Sequence, residues 1–150
     1  MVFLNKTEPT SYKTFTSDQK WFSIHIPSTW ERYDDKEGTY AFFDATGWTG
    51  NLRVTPFRIT AGDMNPDEVI KVSAGKQGAK KESLNDIDCV YYKEYEKQDE
   101  DSLVNYYWTF RKDDFVFLCS FTTDKTKEET RENIAELEKV REILGSIRTK

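Results

Sequence analysis

The sequence predicts an α+β domain in which an antiparallel β-sheet of about six or seven strands is sandwiched between helices. The predicted elements follow in the order strands, helix, strands, helix, which is typical of an antiparallel sheet that carries helices. Several strands are also apolar on both faces, since Leu103 alternates with Val104 and Phe117 with Leu118. A strand of this kind is expected where both sides of a sheet are covered.

The first predicted elements form a hairpin. Residues 12–16 alternate as a short strand, residues 17–20 form a turn, and residues 21–26 form the returning strand. The apolar face of the returning strand comprises Phe22, Ile24 and Ile26. Pro27 ends the strand because proline has no N–H to donate to a sheet. Ser28 or Thr29 is then expected to cap one helical turn that returns Trp30 to the sheet.

Two further strands precede the first helix. Residues 39–45 form one of them, and residues 52–59 form the next after a turn with two glycines. In the second strand the apolar phase switches at Pro56, which predicts a bulge or an edge position. Residues 65–80 form a helix with Asn65 at the N-cap and proline at the first helical position, and Gly75 or Gly78 ends it.

The C-terminal half is predicted to form an antiparallel meander followed by a helix. Its strands are residues 86–97, 102–112 and 114–123, and short acidic turns join them. Residues 127–145 form the final helix. The apolar face of this helix comprises Ile134, Leu137, Val140 and Leu144.

Length and charge narrow the classes of function. The 150 residues fit a single domain, with residues 1–10 as a loosely ordered N-terminal segment. A net charge of −5 disfavours nucleic acid as a partner. The sequence has no apolar run long enough for a signal peptide or a membrane span, so we expect a cytoplasmic protein with no membrane association. Cys89 and Cys119 are then expected to be reduced and buried.

Several segments follow one another in the same order as in a known fold group. They are the strand running into IPSTW, the strand AFFDA, the glycine turn before LRVTPFRI, the middle helix, the meander and the closing ILGSI. Over roughly residues 11–148, the chain resembles the PsbP and Mog fold group, and it is similar to small bacterial domains of unknown function. Pro27 and Trp30 are the pair that matches a motif of that group.

The resemblance implies an antiparallel sheet between helices and a binding function. The named members of the group are an extrinsic photosystem subunit and a release factor for the Ran GTPase. No functional residue is carried over from them, because one fold hosts unrelated functions. Pro27 and Trp30 are expected to be structural.

We predict no catalytic, cofactor-binding or metal-binding residue. His25 is the single histidine, and a catalytic or zinc-binding histidine needs companions that the sequence does not place beside it. The glycines of GKQG, residues 75–78, lack the spacing of a phosphate loop. The tetrapeptide also matches the GxxG loop of KH domains, but that loop lies between two helices, and here a strand is expected to follow. The acidic groups are expected to be solvated turns. An enzyme is therefore disfavoured, although carboxylates and tyrosines suffice for some chemistry.

The aromatic residues of the meander have two possible roles. Tyr92, Tyr106 and Trp108 are assigned to one phase of two adjacent strands, and Trp48 lies in the preceding glycine turn. Under a helix such residues are core, where cross-strand aromatic pairs stabilise a sheet. Left uncovered, these four residues would form a binding surface for a protein or a sugar.

Two hypotheses for function follow. The first is a non-enzymatic protein-interaction domain, an adaptor or accessory, and the acidic chain favours a basic protein as its partner. The alternative is a binder of a small molecule or carbohydrate, or an enzyme, that uses an aromatic-lined pocket between sheet and helix. A dimer through a sheet edge, such as the strand that contains Pro56, fits either hypothesis.

Overall fold

The computed structural model describes residues 11–47, 49–59 and 65–149, and the structural statements below concern these residues. The predicted loose segment, residues 1–10, lies outside them. Ten strands form two antiparallel sheets in the described part of the chain, together with two α-helices. Within the same ranges, no helix has the length and apolar character needed to cross a membrane.

The small sheet has three strands and the large sheet has seven. In the small sheet, the outer strands β1 (Tyr12–Thr16) and β10 (Arg148–Thr149) flank β2 (Phe22–Pro27). The large sheet contains β3 (Trp30–Tyr33), β4 (Tyr40–Asp44), β5 (Gly50–Arg58), β6 (Lys80–Leu84), β7 (Ile87–Gln98), β8 (Asp101–Lys112) and β9 (Phe115–Asp124). Its spatial order is β3-β4-β5-β9-β8-β7-β6, and every neighbouring pair is antiparallel.

Helix α1 (Pro66–Ala74) lies between β5 and β6 in the chain, and helix α2 (Arg131–Gly145) follows β9 after a 3₁₀ turn at Lys125–Lys127. The core lies on one face of the large sheet, which we call the inner face. The small sheet and α2 cover this face. Large side chains fully buried in this core include Phe22, Ile24, Phe42, Leu52, Trp108, Phe110, Phe117, Phe121, Ile143 and Leu144.

On the opposite face of the large sheet, the outer face, α1 is the helix that packs against the sheet among the described residues, and it contacts β7 and β8. The prediction of an antiparallel sheet with helices is therefore confirmed, but the sandwich between helices is confirmed only in part. A second sheet supplies much of the cover on the inner face. This cover explains why strands such as β9 carry large apolar residues on that side.

Most local signals in the sequence gave the correct element. Strand β1 has the predicted bounds, and the three strands of the meander differ from prediction by one residue or none at each end. The Asn65 side chain caps α1 by accepting hydrogen bonds from the backbone N–H groups of Asp67 and Glu68, and Gly75 is the C-cap. The face of β2 formed by residues 22, 24 and 26 is buried, as predicted.

The predicted elements need three corrections. The helical turn predicted after Pro27 is not formed, because Trp30 begins strand β3 and the chain passes there from the small sheet to the large one. Helix α1 ends at Ala74 with Gly75 as its C-cap, so the earlier of the two predicted ends is correct and the predicted range to residue 80 was too long. Strand β6 then begins at Lys80 and was not predicted, since its sequence, KKESL, is mostly polar.

Pro56 lies in an unbroken register. The residue pairs with Phe117 of β9, and the ladder continues on both sides, so the predicted bulge is absent. The predicted edge position is correct, because β4 stops pairing with β5 at Val54 and leaves Pro56 with a strand on one side only. A proline is tolerated there since the missing N–H has no partner to lose.

Helix α2 buries the predicted face except at its first turn. Leu137, Val140 and Leu144 are buried as expected, but the Ile134 side chain is 54% exposed. Two polar residues, Asn133 and Glu136, take the buried positions at the start of the helix. The apolar stripe therefore begins one turn later than the pattern of isoleucine and leucine indicates.

Candidate functional site

The residues predicted as a possible binding surface do not share one face. Tyr106 and Trp108 are buried in the inner-face core and are not part of a surface. Tyr92 pairs with Tyr107 of β8, and the two rings stack on the outer face with centroids 4.7 Å apart. The grouping of Tyr92 with Tyr106 and Trp108 was therefore wrong. Trp48 lies outside the described residues.

The other residues singled out in the sequence are structural or exposed. Pro27 and Trp30 are both buried at the passage between the two sheets. His25 is exposed on β2, and its backbone N–H donates to the Ser146 hydroxyl at 2.9 Å. In the described ranges, no three His, Cys, Asp or Glu side chains are arranged to hold a metal ion.

A groove of about 490 Å³ lies on the outer face, between α1 and the segment that leads into β4. We call it the α1 groove. Its floor crosses four strands, with Thr55 from β5, Leu118 and Ser120 from β9, Tyr107 from β8 and Tyr92 from β7. One wall is α1, through Glu68, Val69, Val72, Ser73 and Lys76, and the other wall contains Lys36, Thr39 and Arg53.

The centre of the floor is open to solvent although it belongs to inner strands of the sheet. Thr55, Tyr107, Leu118 and Ser120 are each half-buried. Strand β9 is the middle strand of the seven, a position where a fully packed sheet has buried side chains on both faces. Helix α1 therefore covers one side of this face and leaves its centre accessible.

Hydroxyl groups dominate the polar part of the groove. Four of them pair with each other: Thr39 with Thr55, at 2.8 Å between the oxygens, and Ser73 with Thr109, at 2.9 Å. The hydroxyls of Tyr92, Tyr107 and Ser120 have no hydrogen-bond partner within the described ranges. Since Tyr107 pairs with Tyr92 and with Ser120 across the strands, these three groups form a row over β7, β8 and β9.

Two of the four charged residues that line the groove form ion pairs with residues just outside it. The Arg53 side chain donates to the Asp35 carboxylate at 2.7 Å, which lowers the pKa of Asp35. Lys76 lies 3.7 Å from the Glu94 carboxylate. Lys36 has no ion pair with any residue that the structure describes. Burial, with a smaller contribution from the nearby Glu94 carboxylate, raises the pKa of Tyr92 to about 12, so its hydroxyl is a donor at neutral pH.

A second groove, of about 440 Å³, lies on the other side of α1. Its lining includes Ile70 of α1, Lys81 and Ser83 of β6, and Val90 of β7. Thr109 borders both grooves. Helix α1 thus stands between two depressions of the same sheet face.

A buried polar cluster at the start of α2 was not predicted. The Glu136 carboxylate accepts hydrogen bonds from the backbone N–H groups of Thr49 and Gly50 at 3.0–3.1 Å. The Thr49 hydroxyl donates to the Asn133 side chain, whose amide nitrogen donates to the Tyr106 hydroxyl. Two polar residues inside the apolar stripe of α2 were the signal that could have revealed it. The cluster fixes α2 to the start of β5.

A smaller cleft lies between α2 and the hairpin of β7 and β8. Tyr95 and Ile134 are its exposed apolar residues, at 55% and 54% exposure. The Tyr95 hydroxyl and the Lys93 amine both donate to the Glu128 carboxylate, at 2.6 and 2.8 Å. Because its polar groups are already paired, this cleft offers less unmet hydrogen bonding than the α1 groove.

Comparison with known proteins places the chain in a family. The family model described as "Domain of unknown function (DUF3805)" matches residues 10–147, so the chain belongs to that family. No curated protein sequence matches the chain. The function of this family is not defined by the family model.

Solved structures share the fold. A crystal structure from Bacteroides thetaiotaomicron is 25% identical, with a TM-score of 0.74, and the match covers 92% of this chain and 48% of that one. This chain therefore spans about half the length of that protein. The Ran-binding protein Mog1p of Saccharomyces cerevisiae is 9% identical, with a TM-score of 0.58 and coverage of 93% and 95%. Cyanobacterial PsbP from Synechocystis sp. PCC 6803 is 11% identical, with a TM-score of 0.46 and coverage of 99% and 98%. The predicted resemblance to the PsbP and Mog fold group is confirmed.

Proposed function

We propose that this DUF3805 domain is a non-enzymatic protein-interaction domain that binds a segment of its partner in the α1 groove. The observation that carries the proposal is the open centre of the outer face, where Leu118 and Ser120 of the middle strand are half-exposed. Accessible apolar surface framed by polar groups is typical of binding sites.

The lining of the groove suits a peptide segment. An apolar side chain of the partner would rest on Leu118 in the floor of the groove. Backbone groups of the partner would pair with the hydroxyls of Tyr92, Tyr107 and Ser120, which have no partner of their own in the described part of the chain. Tyrosine is among the residues that contribute most to interfaces, since its ring adds area and its hydroxyl adds a hydrogen bond.

Charge and fold give further support. The net charge of −5 favours encounter with a basic protein, and this attraction weakens as salt rises. Mog1p, which shares the fold, is named as a Ran-binding protein. Because one fold hosts many functions, this likeness supports protein binding as a class and no particular partner.

Co-purification of the tagged domain from its native cells tests the proposal. A stoichiometric partner should come with the wild-type domain at low salt and leave as salt rises. Ser120→Arg fills the floor of the groove and should remove the partner. Ile134→Arg is the matched control, because it adds the same side chain to an exposed position on another surface. Equal loss of the partner in both variants, or no partner at any salt, would contradict the proposal.

A second candidate function is the binding of a small molecule in the same groove. The observation that favours it is the volume of about 490 Å³, which lies within the range of small-ligand pockets, about 300–1,000 Å³. A compound that binds the folded domain should raise its melting temperature. A compound that stabilises the wild-type domain but not Ser120→Arg, in the absence of a protein partner, would favour this function over the first.

A further inference from the structure

Helix α1 has few attachments to the sheet that it covers. Of its nine residues, Ser73 alone is buried, while Val69 and Ile70 are half-buried and Val72 is 59% exposed. Helix α2, by contrast, buries six residues, among them Val140 and Leu144. The apolar area that fixes α1 to the sheet is therefore small, and hydrophobic stabilisation scales with that area.

The polar attachments of α1 are equally few. One buried hydrogen bond joins the Ser73 and Thr109 hydroxyls, with 2.9 Å between the oxygens. Just after the helix, Lys76 lies 3.7 Å from Glu94 in an ion pair whose side chains are both more than 40% exposed. Exposed pairs of this kind contribute little to stability. Within the described residues, no polar cluster like the one at Glu136 holds α1.

Both ends of α1 are closed by residues next to it in sequence. The Asn65 side chain caps the first turn, and the Gly75 N–H donates to the Lys71 carbonyl at the last turn. No cap is therefore lost when the helix leaves the sheet. The link that follows contains Gly75 and Gly78, and Gly78 has a φ of +76°, a conformation that glycine adopts without strain. Such a link can take up a change in backbone angles.

The two grooves share a lining residue beneath the helix. Thr109, whose hydroxyl pairs with that of Ser73, borders both of them. A movement of α1 away from the sheet would break this contact and would join the grooves of about 490 and 440 Å³ into one trough across the outer face.

We propose that α1 is a strap that leaves the sheet, and that the open trough is the form that takes the partner segment. The inference rests on the proposed function and adds its regulation: binding draws on a minor open state of the domain. The apparent affinity then equals the intrinsic affinity reduced by the fraction of open molecules. Changes that fasten α1 weaken binding, and changes that loosen it strengthen binding.

Amide hydrogen exchange of the free domain tests the opening itself. The amides of α1 should exchange through local opening and be less protected than the amides of the buried residues of α2. Ser73→Ala removes the one buried hydrogen bond, and its usual value of about 0.5–1.5 kcal/mol corresponds to roughly two- to twelve-fold faster exchange in α1 alone. Equal protection of the α1 and α2 amides against exchange, or an unchanged exchange rate of the α1 amides in Ser73→Ala, would refute the opening of α1.

Partner binding tests the regulation. Ser73→Cys combined with Thr109→Cys places two thiols where the hydroxyls meet, and oxidation should reduce α1 exchange and abolish binding of the co-purified partner. Reduction of the same variant should restore both. Ser73→Ala should bind two- to twelve-fold tighter, by the factor that it adds to opening.

The outcomes separate the two proposals. If α1 opens but no partner is found, the opening of α1 is supported and the proposed function fails. If a partner binds the oxidised and reduced variants equally, or binds Ser73→Ala no tighter than the wild type, the proposed function stands and the regulation is overturned. If the cysteine pair does not oxidise, the Ser73→Ala comparison decides alone.

Discussion

Removal of the Glu136 side chain should destabilise the domain far more than its place on a charged helix suggests. The carboxylate is buried and accepts hydrogen bonds from the backbone N–H groups of Thr49 and Gly50. Both donors are themselves buried, so Glu136→Ala leaves two N–H groups without an acceptor. At about 1–3 kcal/mol for each unsatisfied group, the free energy of unfolding should fall by about 2–6 kcal/mol.

The glutamine variant separates hydrogen bonding from charge. Glu136→Gln keeps one oxygen as an acceptor, so its loss of stability should be smaller than that of the alanine variant. Burial raises the pKa of Glu136, while the N–H groups of Thr49 and Gly50 oppose this shift. A raised folded-state pKa means that the folded protein binds the proton more tightly than the unfolded chain, so this group contributes less stability as pH rises.

The pH window follows from that sign. Below the ordinary glutamate pKa of 4.5, the contribution of the protonated group is fully present, and it is lost as pH rises through the folded value. Glu136→Gln cannot titrate, so its deficit relative to the wild type should shrink across the same window. Urea denaturation followed by tryptophan fluorescence, repeated from pH 4 to pH 8, measures both effects. A Glu136→Ala midpoint equal to that of the wild type, or a deficit of the Gln variant that grows with pH, would refute this reasoning.

Three further predictions concern packing, turn geometry and thiols. Gly50→Ala should be strongly destabilising in thermal denaturation, because a Cβ atom there would overlap the Thr122 carbonyl oxygen; an unchanged melting temperature would contradict the packing. Asp99→Gly should stabilise the domain by up to about 1 kcal/mol, because Asp99 has a φ of +57° in an exposed turn and glycine adopts that region with less strain than aspartate; chemical denaturation measures this, and a loss of stability would show that the aspartate side chain contributes to the turn. Burial raises the pKa of the Cys89 thiol to about 12 and that of Cys119 well above its ordinary value, so neither should react with a thiol reagent at pH 8 until the domain unfolds; rapid labelling of folded protein would contradict this.

The sequence was most informative where a signal is local. The Asn65 cap, the proline after it and the Gly75 C-cap act within one helical turn, so they identified α1 without knowledge of the rest of the fold. Strand β6 was missed because KKESL has no apolar alternation, and its pairing with β7 is what makes it a strand. Propensity is a weak guide for a short strand of that composition.

The aromatic pairing failed for a reason that the sequence itself contained. Gln98 pairs with Asp101 around a two-residue turn, so each even-numbered residue of β7 faces an odd-numbered residue of β8. Tyr92 therefore shares a face with Tyr107, and Tyr106 and Trp108 point to the other side. An even number of turn residues always produces this relation, whereas the prediction assumed that residues of equal parity share a face.

The two faces of the large sheet differ in a way that links stability to the proposed function. The inner face carries phenylalanine and tryptophan side chains that are among the largest fully buried ones. Around the α1 groove, the outer face carries threonine, serine and tyrosine, which are well suited to strands and leave polar groups that water can reach. The proposed opening of α1 is compatible with this division, because the inner-face core lies on the other side of the sheet. A face that had been packed with valine and isoleucine would hold α1 firmly and would have no place for a partner.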